Sequence, residues 1–253
     1  MKKVLFIILT LLSSSIFAQN LEAPVSSGKN AYVIQNEAYI LGFSDNHEMA
    51  SWVFYKLTPK MFYGEADSEL NWKADSRVKG FGISAKDIEN VSIEAVQLFP
   101  KKHSKNDSKV LSSSLLTSNV IFMNRYLKNS IWDKIDKKAE EIASSKGAVF
   151  VISGPVYEKD QLKTKYLLNN RLEIPTHFFR ILFYFENNKP CFKCYRLLNR
   201  IPSDYDRRCD LSEFEYNIYQ LEADTGIDFF DRDIDANFRQ EKMKFLETRV
   251  TNE

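Results

Sequence analysis

The amino-acid sequence predicts an α+β fold with a mainly antiparallel central sheet flanked by helices. Residues 180–198, RILFYFENNKPCFKCYRLL, hold two apolar runs around an Asn-Asn-Lys-Pro turn, the pattern of a β-hairpin. Residues 127–143 instead repeat apolar side chains at the spacing of one helix face. Hairpins beside separate helices, without regular alternation of the two, favour α+β over a doubly wound sheet.

The other elements follow in chain order. Two strand-like runs joined by a polar turn at residues 44–47 are expected within residues 31–58, and residues 57–87 are expected to be mostly loop. The lysine-rich residues 101–109 predict a solvated connection. Further on, the sequence predicts a buried strand at 148–155, a strand at 171–185 and a helix within 212–230 that stops at Gly226.

The N-terminus has the layout of a secretory signal peptide. Two lysines precede an apolar run from Val4 to Leu12, and small polar residues lead to Ala18. The run is too short to span a bilayer, so cleavage after Ala18 is favoured over an anchor helix. We therefore expect a signal peptide at 1–18, a polar connector at 19–30, and an exported protein, periplasmic or secreted, with no membrane span after cleavage.

The net charge and the cysteine content of the chain bear on two classes of ligand, nucleic acid and zinc. The formal net charge of the chain is +1, and removing the two signal-peptide lysines gives 1 − 2 = −1. Without a global positive field, any binding of nucleic acid has to rest on a local patch. Cys191 and Cys194 lie three apart on an expected strand and so face opposite sides, which favours buried or disulfide-paired cysteines, with Cys209, over a zinc site.

Five segments resemble the DNA/RNA non-specific endonuclease family, the ββα-metal (His-Me finger) nucleases related to endonuclease G. They are ASWVFYKLT, TSNVIFMNRYLKNSIW, VFVISGPVY, IPTHFFRI and LEADTGIDFF, and they occur in the family's order. The resemblance implies a ββα-metal nuclease-like domain over residues 31–253, a metal-dependent endonuclease ancestry and Mg²⁺ as the family's cofactor.

The family's catalytic signature, Asp-Arg-Gly-His followed by Leu-x-Pro, falls on IEAVQLFP at residues 93–100. Aligning Leu-x-Pro places Glu94 at the Asp, Ala95 at the Arg, Val96 at the Gly and Gln97 at the His. A general base has to gain a proton reversibly near neutral pH, which imidazole does and an amide does not. Positioned base catalysis contributes about 10²- to 10⁴-fold, so these replacements predict an inactive or strongly impaired site.

The resemblance also locates the family's metal ligands. With Trp132 fixing the register, Lys128 occupies the position of the metal-binding Asn and Asp136 that of the carboxylate, while the earlier family Asn is kept as Asn119. A lysine has no acceptor and repels a divalent ion, so we expect no Mg²⁺ here. Shifting the register by one would bring in Asn129, turned about 100° away from Trp132.

These residues predict a pseudonuclease or binding module, with phosphate contacts from Lys101, Lys102, Lys105 and Lys128, and with Lys109 at the same rim. DNA, RNA or another phosphodiester is the expected ligand. One alternative is an active phosphodiesterase in which Glu94, Asn119, Asp136 and His103 surround an ion, with His103 as the substitute base. A second is a structural module that binds a protein partner.

Overall fold

A computed structural model describes residues 24–26, 31–67, 69, 71–78, 92–157, 165–167, 172–187 and 189–229. The predicted signal peptide lies outside these residues. Twelve strands are present in this part of the chain: β1 Val25–Ser26, β2 Ala31–Gln35, β3 Tyr39–Ser44, β4 Met49–Leu57, β5 Ile93–Gln97, β6 Val120–Asn124, β7 Val149–Val156, β8 Lys165–Leu167, β9 Leu172–Ile174, β10 His177–Glu186, β11 Lys189–Leu198 and β12 Ile227–Asp228.

Six of these strands form one antiparallel sheet in the order β11-β10-β7-β4-β3-β2. The α+β prediction and the β10–β11 hairpin are confirmed. The prediction of two strands before residue 58 is wrong, because a turn at residues 36–38 divides the first run into β2 and β3. Neighbouring two-stranded pairs are β5 with β6, β8 with β9, and β1 with β12.

The central sheet separates two apolar cores, because successive side chains of a strand point to opposite faces. On β10, Phe178 and Leu182 join one core, while Phe179 and Ile181 join the other. Glycine is needed where the sheet is most crowded: a Cβ on Gly42 would lie 2.4 Å from the indole nitrogen of Trp52. The first core contains β5, β6 and the longest helix, and it is therefore the face that carries the site.

The helices are α1 Ser108–Ser114, α2 Arg125–Leu127, α3 Asp133–Lys146, α4 Asp204–Arg208 and α5 Ile218–Thr225. A π-helical turn, Lys128–Trp132, joins α2 to α3, so the predicted helix is confirmed and extended at both ends. Gly226, in the left-handed conformation at φ 67°, ends α5 as predicted. The prediction that residues 101–109 form a solvated connection is confirmed for 105–109, which are exposed. It is wrong for His103 and Ser104, which are buried at the end of a 3-10 turn, Lys101–His103.

The cysteine side chains are all free thiols. Cys194 is buried in the second core, whereas Cys191 and Cys209 are half-buried. Cys191 and Cys194 lie on β11, three residues apart, and differ in exposure as an extended strand requires. Of the two possibilities left by the sequence, a buried thiol describes Cys194, whereas Cys191 and Cys209 are half-buried thiols without a disulfide.

Candidate functional site

Strands β5 and β6 and the helix that follows them form a ββα unit on the first core. Antiparallel pairing sets Glu94 opposite Met123, Ala95 opposite Phe122 and Gln97 opposite Val120. The Asn124 side chain accepts hydrogen bonds from two backbone amides in the next turn and so starts α2 directly after β6. This arrangement places the predicted catalytic strand and the predicted metal-binding helix in one continuous unit.

Gln97, at the position of the family histidine, is held by the loop that follows it. Its Nε2 donates to the Ser114 carbonyl at 2.7 Å, and its Oε1 accepts from the Lys101 amide at 2.9 Å. Both ends of the amide therefore bond to backbone. Ala95, at the position of the family arginine, is half-buried and carries no polar side-chain group. The strand offers neither a base nor a cation at these two positions.

Asn119 is fully buried and also bonds to backbone. Its Oδ1 accepts from the Phe99 amide at 2.8 Å, while its Nδ2 donates to the carbonyls of Phe99 and Ser114 at 2.8 and 2.9 Å. Ser114 thus receives hydrogen bonds from both Asn119 and Gln97. The geometry disagrees with a ligand role for Asn119, because its amide oxygen already serves a buried backbone donor.

Lys128, at the position of the family metal ligand, lies within a cluster of charged side chains. Its Nζ is 3.6 Å from Asp133 Oδ1 and 3.3 Å from Asn129 Oδ1. Glu94 lies 3.6 Å from Arg125 Nε, and partial burial, opposed by the charges of Lys128 and Arg125, raises the pKa of Glu94. A divalent ion at this position would therefore have to displace the charged groups of Lys128 and Arg125.

Asp136, at the position of the family carboxylate, is buried and paired with two cations. Arg180 Nη1 forms an ion pair with Oδ1, and Lys102 Nζ lies 3.2 Å from Oδ2. Arg180 is itself fully buried, donates to Ser153 Oγ at 2.9 Å and lies 3.8 Å from the Trp132 ring centre. Burial lowers the pKa of Arg180 to about 10, so the guanidinium is still charged at neutral pH.

His103 is fully buried rather than solvated. Its Nδ1 meets the Tyr55 hydroxyl at 3.2 Å and its Nε2 meets Glu140 Oε1 at 3.0 Å. Burial lowers the pKa of His103 to about 4, whereas the hydrogen bond from His103 lowers that of Glu140 to about 2. A neutral imidazole between these two partners has no free nitrogen with which to activate water.

The four members of the alternative metal site do not converge. Glu94 faces Arg125, Asn119 bonds to backbone, Asp136 pairs with Arg180, and His103 bonds to Tyr55 and Glu140. In the part of the chain that the structure describes, no group of three or more His, Cys, Asp or Glu could hold a metal ion. Mg²⁺ is held by one or two carboxylates and several waters. The side-chain oxygens of Glu94, Asn119 and Asp136 already contact a cation or a backbone amide, so the residues present do not fit the family's cofactor.

Most of the lysines expected to contact phosphate are ion-paired within the chain. Lys101 Nζ lies 2.7 Å from Asp67, Lys102 lies 3.2 Å from both Asp136 and Glu140, and Lys128 pairs with Asp133. Lys105 and Lys109 are exposed, and no ion pair involving either is found among the described residues. A phosphate ligand would therefore have to compete with carboxylates at every other lysine of the predicted rim.

Comparison of the sequence with known protein families identifies the family of this chain. The sequence profile of the DNA/RNA non-specific endonucleases matches residues 18–233, which is most of the chain. This chain belongs to the DNA/RNA non-specific endonuclease family. The family resemblance drawn from the five segments is therefore confirmed. As a family, the DNA/RNA non-specific endonucleases are metal-dependent.

Several relatives of this endonuclease-family chain are known. Mitochondrial endonuclease G of Homo sapiens is 23% identical over 161 residues, which is 60% of this chain and 54% of the relative. Mitochondrial nuclease EXOG of Mus musculus is 20% identical over 207 residues, 77% of this chain and 55% of the relative. The chain thus spans about half the length of these curated relatives.

A solved structure, that of EndoG in its complex with EndoGI, matches the fold with a TM-score of 0.69 at 18% identity. The match covers 79% of this chain and 86% of the EndoG chain. At this identity the likeness supports the fold, and it confirms the predicted ββα-metal nuclease-like architecture. Within the described residues, no helix is both long and apolar enough to cross a membrane.

Two features of the site escaped the sequence. Arg180 sits in the apolar run FFRILFYF, where an isolated arginine on a strand is expected to face solvent rather than a buried carboxylate. Tyr63, with 73% of its surface exposed, lies in a segment that the sequence indicates only as loop. A lone arginine inside a fully apolar run, as here, is the one signal that could have indicated a buried ion pair.

Proposed function

We propose that this chain is an exported, catalytically degenerate member of the DNA/RNA non-specific endonuclease family that binds phosphodiester ligands without cleaving them. The single observation that carries the proposal is the position of Gln97. An amide replaces the base, and both of its ends bond to the backbone of the following loop. A base cannot be recovered by a small rotation of this side chain, because no atom of it accepts a proton at neutral pH.

The metal-binding half of the site supports the same proposal. Lys128 lies between carboxylates where the family carries a ligand, and Asp136 is neutralised by Arg180 and Lys102. A divalent cation would meet the ammonium of Lys128 at the ligand position, and Arg180 and Lys102 at Asp136, each at a Coulombic cost that rises as the local dielectric falls. The chain therefore substitutes its own side chains for the ion.

Export is part of the proposal and is supported by the layout of residues 1–18, with a polar connector at 19–30 and the nuclease-like domain at 31–253. The near-neutral net charge means that ligand binding would depend on a local surface. Nucleic acid is the favoured ligand, because the family acts on DNA and RNA.

The test is cleavage of supercoiled plasmid and of RNA by the purified protein with Mg²⁺, Mn²⁺ or EDTA. A Gln97→His, Ala95→Arg, Lys128→Asn triple variant is compared with the double variant that keeps Lys128. We expect no cleavage by the unmodified protein or by the double variant, and slight metal-dependent cleavage by the triple variant. Metal-dependent cleavage by the unmodified protein, abolished by EDTA, would overturn the proposal.

A further inference from the structure

A second concave surface lies beside the ββα unit. It is an open cleft of about 800 Å³ between the segment around Tyr63, the residue Lys105 and the C-terminal half of α3, where Lys137, Glu140 and Ser144 line it. Its volume falls within the ~300–1,000 Å³ typical of small-molecule sites. We call it the Tyr63 cleft. Lys102 connects it to the degenerate site, since its Nζ contacts both Asp136 and Glu140.

Close backbone packing fixes one wall of the Tyr63 cleft. The Lys105 amide donates to the Met61 carbonyl, and the Ala66 amide donates to the Lys105 carbonyl, each at 2.9 Å. Gly64 makes this approach feasible, because a Cβ there would lie 2.0 Å from the Lys105 carbonyl oxygen. Tyr63 and Lys105 are therefore held beside each other by the main chain rather than by a mobile loop.

The charges that line the Tyr63 cleft leave two lysines without a carboxylate. Glu140 is occupied by His103 and Lys102, and Glu141 lies 3.2 Å from Lys138 on the helix surface. Lys105 and Lys137 are exposed, and no ion pair is found for either within the described ranges. The cleft thus presents two ammonium groups that are open to an anion.

The exposed Tyr63 ring gives the cleft an aromatic platform. It is 73% exposed, and the Phe62 ring packs against it with centroids 4.6 Å apart. An exposed ring beside cations is the combination with which proteins bind single strands, because every base offers a face for stacking and every link offers a phosphate. In a duplex the base faces are already stacked and unavailable.

We propose that the Tyr63 cleft binds a nucleotide unit of single-stranded nucleic acid, with a base on Tyr63 and the adjoining phosphate between Lys105 and Lys137. This inference rests on the ligand class of the proposed function, but it does not depend on the loss of cleavage. It moves phosphate recognition from the ion-paired lysines predicted from sequence to Lys105, in the turn before α1, and Lys137 on α3.

The experiment measures by fluorescence anisotropy how short, fluorescein-labelled oligothymidylate and oligouridylate bind to the full chain. The same sequences as duplexes, and free thymidine monophosphate, are measured for comparison. Tyr63→Ala is expected to weaken binding about fivefold or more, the effect of losing one stacked base, while Tyr63→Phe retains it. Tyr126→Ala, at another exposed tyrosine, next to the degenerate site, is the matched control and leaves binding unchanged.

The lysines are tested through salt. A Lys105→Gln, Lys137→Gln double variant is expected to reduce the slope of log K against log salt by about 0.7, because the two lysines share one phosphate and each phosphate neutralised on a single strand contributes about 0.7. Lys134→Gln makes the same charge change on α3 outside the Tyr63 cleft, where its ammonium contacts the Arg207 carbonyl, and it leaves the slope unchanged. Circular dichroism confirms that each exposed-site variant folds.

The outcomes separate this inference from the proposed function. If the unmodified protein binds no oligonucleotide, both fail. If it binds and Tyr126→Ala weakens binding while Tyr63→Ala does not, the strand lies at the degenerate site and only the assignment to the Tyr63 cleft is overturned. Preference for duplex over single strand overturns the assignment as well.

Discussion

Replacing Asp136 with alanine tests whether this carboxylate is a structural ion pair or a surviving metal ligand. The change leaves the Arg180 guanidinium without its counter-ion at a position with no solvent exposure, where only Ser153 Oγ and the face of Trp132 remain as partners. Removing one member of a buried pair typically costs about 3–5 kcal/mol. Lys102, which is partly exposed, turns to Glu140 and contributes little to this cost.

The expected loss of unfolding free energy for Asp136→Ala is therefore about 3–5 kcal/mol. At about 2–4 °C per kcal/mol for a chain of this size, Tm falls by roughly 6–20 °C. The Asp136→Ala, Arg180→Met double variant should lose less than the sum of the single variants, because it removes the isolated charge. The free energy of unfolding of the unmodified protein, the two single variants and the double variant is measured by urea unfolding, followed by circular dichroism, in Mg²⁺ and in EDTA.

A different pattern would refute the structural role of Asp136. If Asp136→Ala unfolds like the unmodified protein but abolishes a stabilisation that Mg²⁺ provides, the carboxylate binds a metal ion and the ion pair with Arg180 is incidental. Additive losses in the two single variants would show that the two side chains do not interact.

Two further outcomes follow from the buried polar residues. Asn119→Ala should lower the urea-unfolding free energy by about 1–3 kcal/mol, because the buried Phe99 amide loses its acceptor; an unchanged midpoint in Mg²⁺ and in EDTA contradicts this. The pKa of His103 falls from 6.5 to about 4 on folding, so the unfolded chain binds more protons and stability falls as pH drops through that window. In His103→Gln, this part of the pH dependence should be absent.

Local sequence patterns predict most of the strands and helices of the fold. The β10–β11 hairpin is marked by its Asn-Asn-Lys-Pro turn, and α3 by its helical period. The sequence predicts the first run as a single strand, because the turn at residues 36–38 that divides it into β2 and β3 contains neither glycine nor proline. Helix α1, SKVLSSS, has poor intrinsic helix propensity and begins only because Asp107 caps two backbone amides. Such tertiary and capping effects outweigh the composition of a short segment.

The sequence indicates which residues occupy the motif positions of the candidate site, but not which side chains they contact. The motifs alone indicate that Gln97 replaces the family histidine and Lys128 the family asparagine. The burial of His103 is not, because its partners, Tyr55 and Glu140, are 48 and 37 residues away in the chain. The partner of Arg180 is likewise 44 residues away. Ionic networks of this kind are assembled by the sheet and helix together, and no local periodicity encodes them.

The ammonium of Lys128 differs from a metal ion in one respect that bears on how the protein behaves in its surroundings. A bound ion stabilises a fold by an amount that rises with the logarithm of its free concentration, and it is lost on dilution or to a chelator. A lysine is covalently attached, so the occupancy of its position is fixed at synthesis. Under the proposed function, the shape of the ββα unit is uncoupled from the supply of divalent cations, on which a metal-bound site would depend.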